Sequence, residues 1–168
     1  MLYGSSDQKI EAIRNPARPH KDAYIHMTIS ERSISPTCFL IDDDLDDQEI
    51  FLMAMQQFDT SIRCDFANDG ARAIEQLKAD KANVPGCIFI DMNMPRMNGI
   101  ECLEQIKEMA HLKDVPVCMF STSADPTSVA KTKALGAVDF IMKPADITAL
   151  SEMLGQFFKL NVLHDGSI

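Results

Sequence analysis

Four short apolar runs in this sequence each end in residues that could bind or transfer a charged group. Phe39-Leu40-Ile41 leads into Asp42, Asp43 and Asp44, and Cys87 to Ile90 leads into Asp91. Val117 to Phe120 leads into Ser121 and Thr122, and Phe140 to Met142 leads into Lys143-Pro144. Brought together, Asp42, Asp43 and Asp91 raise one another's pKa, a conflict that a hard divalent cation resolves. Mg2+ takes octahedral oxygen ligands and keeps several waters, so two or three carboxylates, a backbone carbonyl and water suit it. Lys143 adds a compact positive charge and Ser121 a hydroxyl donor. The set describes a cradle for a phosphoryl group at Asp91, a carboxylate being a nucleophile toward phosphorus in aspartyl-phosphate chemistry.

Taken singly, each residue has a plainer reading. Acids that follow a strand often only meet the positive end of a helix dipole. That is the reading for Asp44, Asp46 and Asp47, which complete five carboxylates in the seven residues IDDDLDD at 41–47. Asp91 alone could be a turn residue and Lys143 alone a solvated lysine. The coincidence at four strand ends is what carries the chemistry.

That coincidence needs strands that all end on one edge. From Thr37 onward, apolar runs (37–41, 61–67, 87–90, 117–120 and 138–142) alternate with segments of helical spacing (46–58, 69–79, 99–110, 126–135 and 146–160). Runs of the first kind fit strands and the second kind fit helices. Five-fold strand–helix alternation implies βαβ crossovers, hence an α/β fold: a five-stranded, mainly parallel sheet with helices on both faces. Ligands of such sheets bind at the strand C-termini. Residues 61–67 alternate, with Ile62, Cys64 and Phe66 on one side, which suits an edge strand. Asp46 with Glu49 reads as a capping box, Gly99 opens one helix, and Leu135-Gly136-Ala137 closes another. The helix over 126–135 is expected to bury Val129, Ala130 and Ala134.

The chain has 168 residues, 46% hydrophobic and 24% charged, with a formal charge of −9. That balance fits one soluble domain with a core of ordinary size. Its sign argues against nucleic acid and anionic membrane surfaces as partners. No apolar run approaches the roughly 20 residues that span a bilayer, and the N-terminus has no signal-peptide h-region. Cys38, Cys64, Cys87, Cys102 and Cys118 form no CxxC pair and read as reduced thiols of a cytoplasmic protein. Residues 1–35 are polar and without sustained period, and read as a flexible extension, with Met27 an alternative start. His20, His26, His111 and His164 read as surface residues.

FLIDDD (39–44), IFIDMNMPRMNG (88–99), PVCMFST (116–122) and FIMKP (140–144) together resemble the receiver domain of bacterial two-component response regulators, in the family's order and spacing. The resemblance covers about residues 37–160, in a receiver domain expected over 36–162, and is to stand-alone receivers of the chemotaxis-regulator type, with no output domain. It implies a flavodoxin-like receiver fold with strand order 2-1-3-4-5. It further implies that Asp91 is the phospho-acceptor, that Asp42, Asp43, Asp91 and the backbone carbonyl of Asn93 hold Mg2+, and that Lys143 binds the phosphoryl group. Ser121 and Phe140 then stand at the switch positions, and Asn93 and Ser123 at positions that tune phosphoryl lifetime. The Lys143–Pro144 bond is similar to one that is cis in the family. The implied partners are a sensor histidine kinase or histidine phosphotransfer protein, and a downstream protein that reads the 126–160 face. The chain would be no enzyme beyond promoting its own phosphorylation and dephosphorylation.

Two other classes compete. A phosphatase of the haloacid-dehalogenase type needs a second Asp two residues after its nucleophile, where this chain has Asn93, and its acid pair would not precede the nucleophile's strand. A phosphorylation-independent interaction module of the same fold remains the alternative, although Asp91 and Lys143 are both present.

Overall fold

The computed structural model describes residues 36–163. The expectations for residues 1–35, for His20 and His26, and for His164 lie outside them. The strands are β1 (Thr37–Ile41), β2 (Arg63–Ala67), β3 (Cys87–Asp91), β4 (Val117–Ser121) and β5 (Asp139–Met142). The helices are α1 (Leu45–Phe58), α2 (Gly70–Ala79), α3 (Gly99–Lys107), α4 (Pro126–Ala134) and α5 (Ile147–Asn161), with a 3-10 turn at Ala110–Leu112. All pairings are parallel, and the order is β2-β1-β3-β4-β5. This is the α/β arrangement expected, with β2 on an edge. No described helix is long and apolar enough to cross a membrane.

Strand side chains alternate between two cores, because successive residues point to opposite faces. Phe39, Ile41, Ile88, Ile90, Val117 and Met119 meet α2 and α3 on one face. Cys38, Leu40, Cys87, Phe89, Cys118 and Phe120 meet α1 and α5 on the other. Phe89 centres the second core, with ring centroids 5.1 Å from Phe51 and 4.9 Å from Phe157. Every residue of β3 is buried. Four of the five free thiols are buried and Cys64 is half-buried; burial pushes the Cys102 thiol up to about 12.

Each helix starts on a side-chain cap at the strand C-terminal edge. Asp69, Asp125 and Asp146 cap α2, α4 and α5, and Asn98 forms a reciprocal capping box with Glu101 ahead of Gly99. A cap contributes about 1 kcal/mol and fixes where the chain turns. For α1 the cap is Asp44, which accepts from the amides of Asp46 and Asp47. The expected Asp46–Glu49 box is therefore corrected: an acid two residues earlier reaches the first free amides, and the helix begins before Asp46.

The expected stripe of α4 also differs. Ala130 and Ala134 are exposed, Val129 is half-buried, and Thr132 is the one buried residue. Its hydroxyl donates back to the carbonyls of Ser128 (3.0 Å) and Val129 (3.1 Å), which lets a polar residue take the inward position. No described peptide bond is cis, so the Lys143–Pro144 bond is trans, contrary to the resemblance. His111, read as a surface residue, is half-buried with Nε2 3.0 Å from the Leu77 carbonyl oxygen, which joins the 3-10 turn to the end of α2.

Candidate functional site

Strand order does most of the positioning. Because β1 lies beside β3 in the register Ile41↔Ile90, the next residues, Asp42 and Asp91, emerge side by side. The Asp42 amide donates to the Ala67 carbonyl (3.0 Å), and the Gln48 side chain donates to the Asp42 carbonyl (2.7 Å), so the turn after β1 is pinned from two sides. On the other flank, the Lys143 amide donates to the Ser121 carbonyl (2.7 Å), which extends the β4–β5 pairing to the lysine.

Asp42, Asp43 and Asp91 each present one carboxylate oxygen within 4.8 Å of the others. Asp42 is 1% exposed and Asp91 6%, while Asp43 faces solvent. Lys143 Nζ lies 2.8 Å from Asp42 Oδ2, 2.8 Å from Asp91 Oδ1 and 2.7 Å from Asp47 Oδ2. It also sits 5.0 Å from the centroid of the Phe120 ring, a favourable place for a cation. The remaining oxygens take backbone donors: Asp44 N–H to Asp42 Oδ1 (3.0 Å) and Asn93 N–H to Asp91 Oδ2 (2.7 Å).

Burial alone would depress the Lys143 ammonium, but its hydrogen bonds to Asp42, Asp47 and Asp91 outweigh that and hold its pKa well above the ordinary lysine value. Burial raises the Asp42 carboxyl above its ordinary value, and Lys143 only partly opposes the rise. Three carboxylates thus share one ammonium, and Asp43 adds a fourth to the cluster. This all-oxygen, net negative set with an exposed member at its mouth fits a hard divalent cation.

The loop after Asp91 is held as tightly. Gly99 N–H donates to the Met92 carbonyl (3.1 Å), and a Cβ at Gly99 would stand 2.9 Å from Met92 Cα and against the Asp91 carbonyl oxygen. Arg96 takes a left-handed backbone (φ 69°) and its guanidinium pairs with Asp69 at 2.8 Å, tying the loop to the start of α2.

Ser121 is 1% exposed at the end of β4, and its hydroxyl accepts from the Ser123 amide (3.3 Å). Phe140 is half-buried against the core under α2 and α3, outside the carboxylate cluster. The sequence reading thus placed Asp42, Asp43, Asp91 and Lys143 together as found. It missed Asp47 as a partner of Lys143, Gln48 as a brace, and Phe120 under the ammonium. Asp47 stands in the first turn of α1, as its reading as an acid at a helix dipole implies, but its carboxylate also reaches Lys143.

A cavity of ≈ 450 Å³ lies at the opposite ends of the strands, lined by Thr37, Phe39, Arg63, Asp65, Leu77 and Asp80 among others. Arg63 and Asp65 pair with each other there (2.8 Å), as do Asp80 and Asn83 (2.8 Å).

Residues 38–155 match the family model described as the response regulator receiver domain. The two-component response regulator ORR3 of rice (Oryza sativa subsp. japonica) is 31% identical over 118 residues, covering 70% of this chain and 87% of that protein. Rice ORR5 is 30% identical over 131 residues, covering 77% and 93%. Among solved structures, the phosphorylated cyanobacterial phytochrome response regulator RcpA superposes with a TM-score of 0.69 at 25% identity, covering 79% of this chain and 99% of that one. A receiver domain from Rhodospirillum rubrum gives 0.66 at 26% identity, covering 74% and 94%. These relatives span plants and bacteria, so the likeness reaches beyond the bacterial regulators named from the motifs. With its motifs, strand order and acidic edge in agreement with the match over residues 38–155, the chain belongs to the response regulator receiver domain family.

Proposed function

We propose that the chain is a phosphorelay receiver in the cytoplasm that accepts a phosphoryl group on Asp91 from a sensor histidine kinase or a histidine phosphotransfer protein. The observation that carries this reading is the meeting of Asp42, Asp43 and Asp91 within 4.8 Å, with Lys143 2.8 Å from Asp91. An Asp91 oxygen attacks phosphorus in line; the new O–P bond forms as the P–N bond to the donor histidine breaks. Asp42, Asp43, Asp91 and the Asn93 carbonyl would hold Mg2+, which supplies charge neutralisation between the carboxylates and the phosphoryl oxygens. Lys143 holds a phosphoryl oxygen, and the Asn93 amide keeps Asp91 Oδ2 oriented. Ser121 then turns its hydroxyl to the phosphoryl group, Phe140 repacks, and the 126–160 surface changes for a downstream protein partner. Phe140 has no hydroxyl, so its contribution is ring packing. Asn93 and Ser123, both small and polar, stand at the positions that tune how long the state lasts.

The test is the beryllofluoride–Mg2+ complex, an acyl-phosphate mimic, followed by backbone amide NMR. Mg2+-dependent shifts at Asp91, Ser121 and Lys143 that spread to 126–160 and vanish in Asp91→Asn are the expected result. Absence of Mg2+-dependent shifts overturns the phosphoryl reading and leaves the phosphorylation-independent interaction module.

A further inference from the structure

An ammonium has three N–H bonds, and Lys143 has three carboxylate partners. No donor is left for an arriving phosphoryl oxygen, so one partner has to be given up. Asp42 and Asp91 belong to the three-carboxylate cluster, and Asp47 does not. Asp47 comes instead from the first turn of α1, where Asp44 caps its amide. Its side chain is 31% exposed, against 1% for Asp42 and 9% for Asp91. Released, it returns to water and to the positive end of the helix dipole, whereas Asp42 and Asp91 are buried and have no solvent to return to.

We propose that Asp47 is a positioning residue that holds Lys143 in the unphosphorylated state and competes with the phosphoryl group for the same N–H. It thereby sets how readily Asp91 is charged and how long the phosphoryl group keeps its lysine. The proposal rests on the phosphoryl reading given above. Asp46 provides an internal contrast. It carries the same charge one residue earlier, but its side chain is exposed and makes no contact with Lys143. A general field effect would make the two acids alike; a direct latch makes them differ.

The test titrates the full chain with beryllofluoride at fixed Mg2+ and reads the midpoint from amide shifts near Asp91, with the Lys143 side-chain resonances followed in parallel. Asp47→Asn is expected to lower the midpoint about two- to fivefold, the range for a partly exposed charge pair, and to move the Lys143 side-chain signals before any ligand is added. Asp46→Asn should change the midpoint by less than about twofold, because a screened surface charge acts weakly at this range. Asp47→Glu, which restores the charge, should return the midpoint toward wild type. Equal effects of Asp47→Asn and Asp46→Asn, or a raised midpoint in Asp47→Asn, overturn the latch. A wild-type chain without Mg2+-dependent binding would instead overturn the phosphoryl reading itself.

Discussion

Replacing Lys143 by Met isolates the electrostatic problem that the acidic edge solves. The ammonium is 9% exposed and satisfies Asp42, itself 1% exposed, at 2.8 Å. Removing one partner of a buried ion pair costs roughly 3–5 kcal/mol. Two features here lower that figure. Asp47 is already a third exposed and rehydrates, and Asp42 keeps the Asp44 amide as a donor to its Oδ1. A loss of about 2–3 kcal/mol in the absence of divalent metal follows, or about 10 °C in Tm for a domain of this size. The assay is thermal unfolding followed by circular dichroism at pH 7.5, with EDTA or with Mg2+. Mg2+ should restore most of the loss, since it neutralises the same carboxylates. Adding Asp42→Asn to Lys143→Met should do so without metal. Acidification should narrow the gap as well, because a carboxyl with a raised folded-state pKa stabilises the fold below its unfolded value and loses that contribution as pH rises through the folded one. A Lys143→Met chain as stable as wild type in EDTA, or one not recovered by Asp42→Asn, would refute this account of the site.

Gly99→Ala should lower Tm and also weaken beryllofluoride binding, because the new methyl meets the Met92 and Asp91 backbone rather than a flexible side chain; overpacking of this kind costs about 1–3 kcal/mol, and unchanged binding would show that the loop yields without moving Asp91. Apparent Mg2+ affinity, measured by titration calorimetry from pH 8 downward, should begin to fall above the ordinary carboxylate value of 3.8, as protons compete for the raised Asp42; a fall confined to that value would contradict the effect of burial. Lys143, held above its ordinary value of 10.5, stabilises the fold below that pH and loses its contribution only at more alkaline pH, which alkaline unfolding of wild type against Lys143→Met would show.

The sheet and most of the acidic edge were legible because both depend on short, local signals. Continuous apolar runs mark strands buried on both faces, and the residue after each run must emerge at one edge of a parallel sheet. Asp42, Asp91, Ser121 and Lys143 could be placed by that rule alone. What escaped was set by geometry one turn further out. Asp47 reads in the sequence only as an acid meeting the helix dipole, and nothing near it in the chain announces a partner 96 residues away at Lys143. The inward side of α4 was misread because its buried position is a threonine that satisfies its own hydroxyl, so the apolar pattern pointed to the exposed Ala130 and Ala134. The isomer of the Lys143–Pro144 bond has no local signature in the residues that carried the resemblance.

The two cores separated by β3 divide the mechanical properties of the domain. Ile88 and Ile90 anchor the strand to one layer and Phe89 to the other, so β3 cannot tilt without opening packing on both sides at once. Asp91 therefore stands at the end of a strand that is buried along its whole length. α4, two strands away, anchors itself through the single buried Thr132. Elements with so little buried surface open at the lowest free energy in a fold. Dense packing along β3 and thin packing on α4 therefore give the two elements different local stabilities, which amide hydrogen exchange would read as slow opening at 87–91 and fast opening at 126–134.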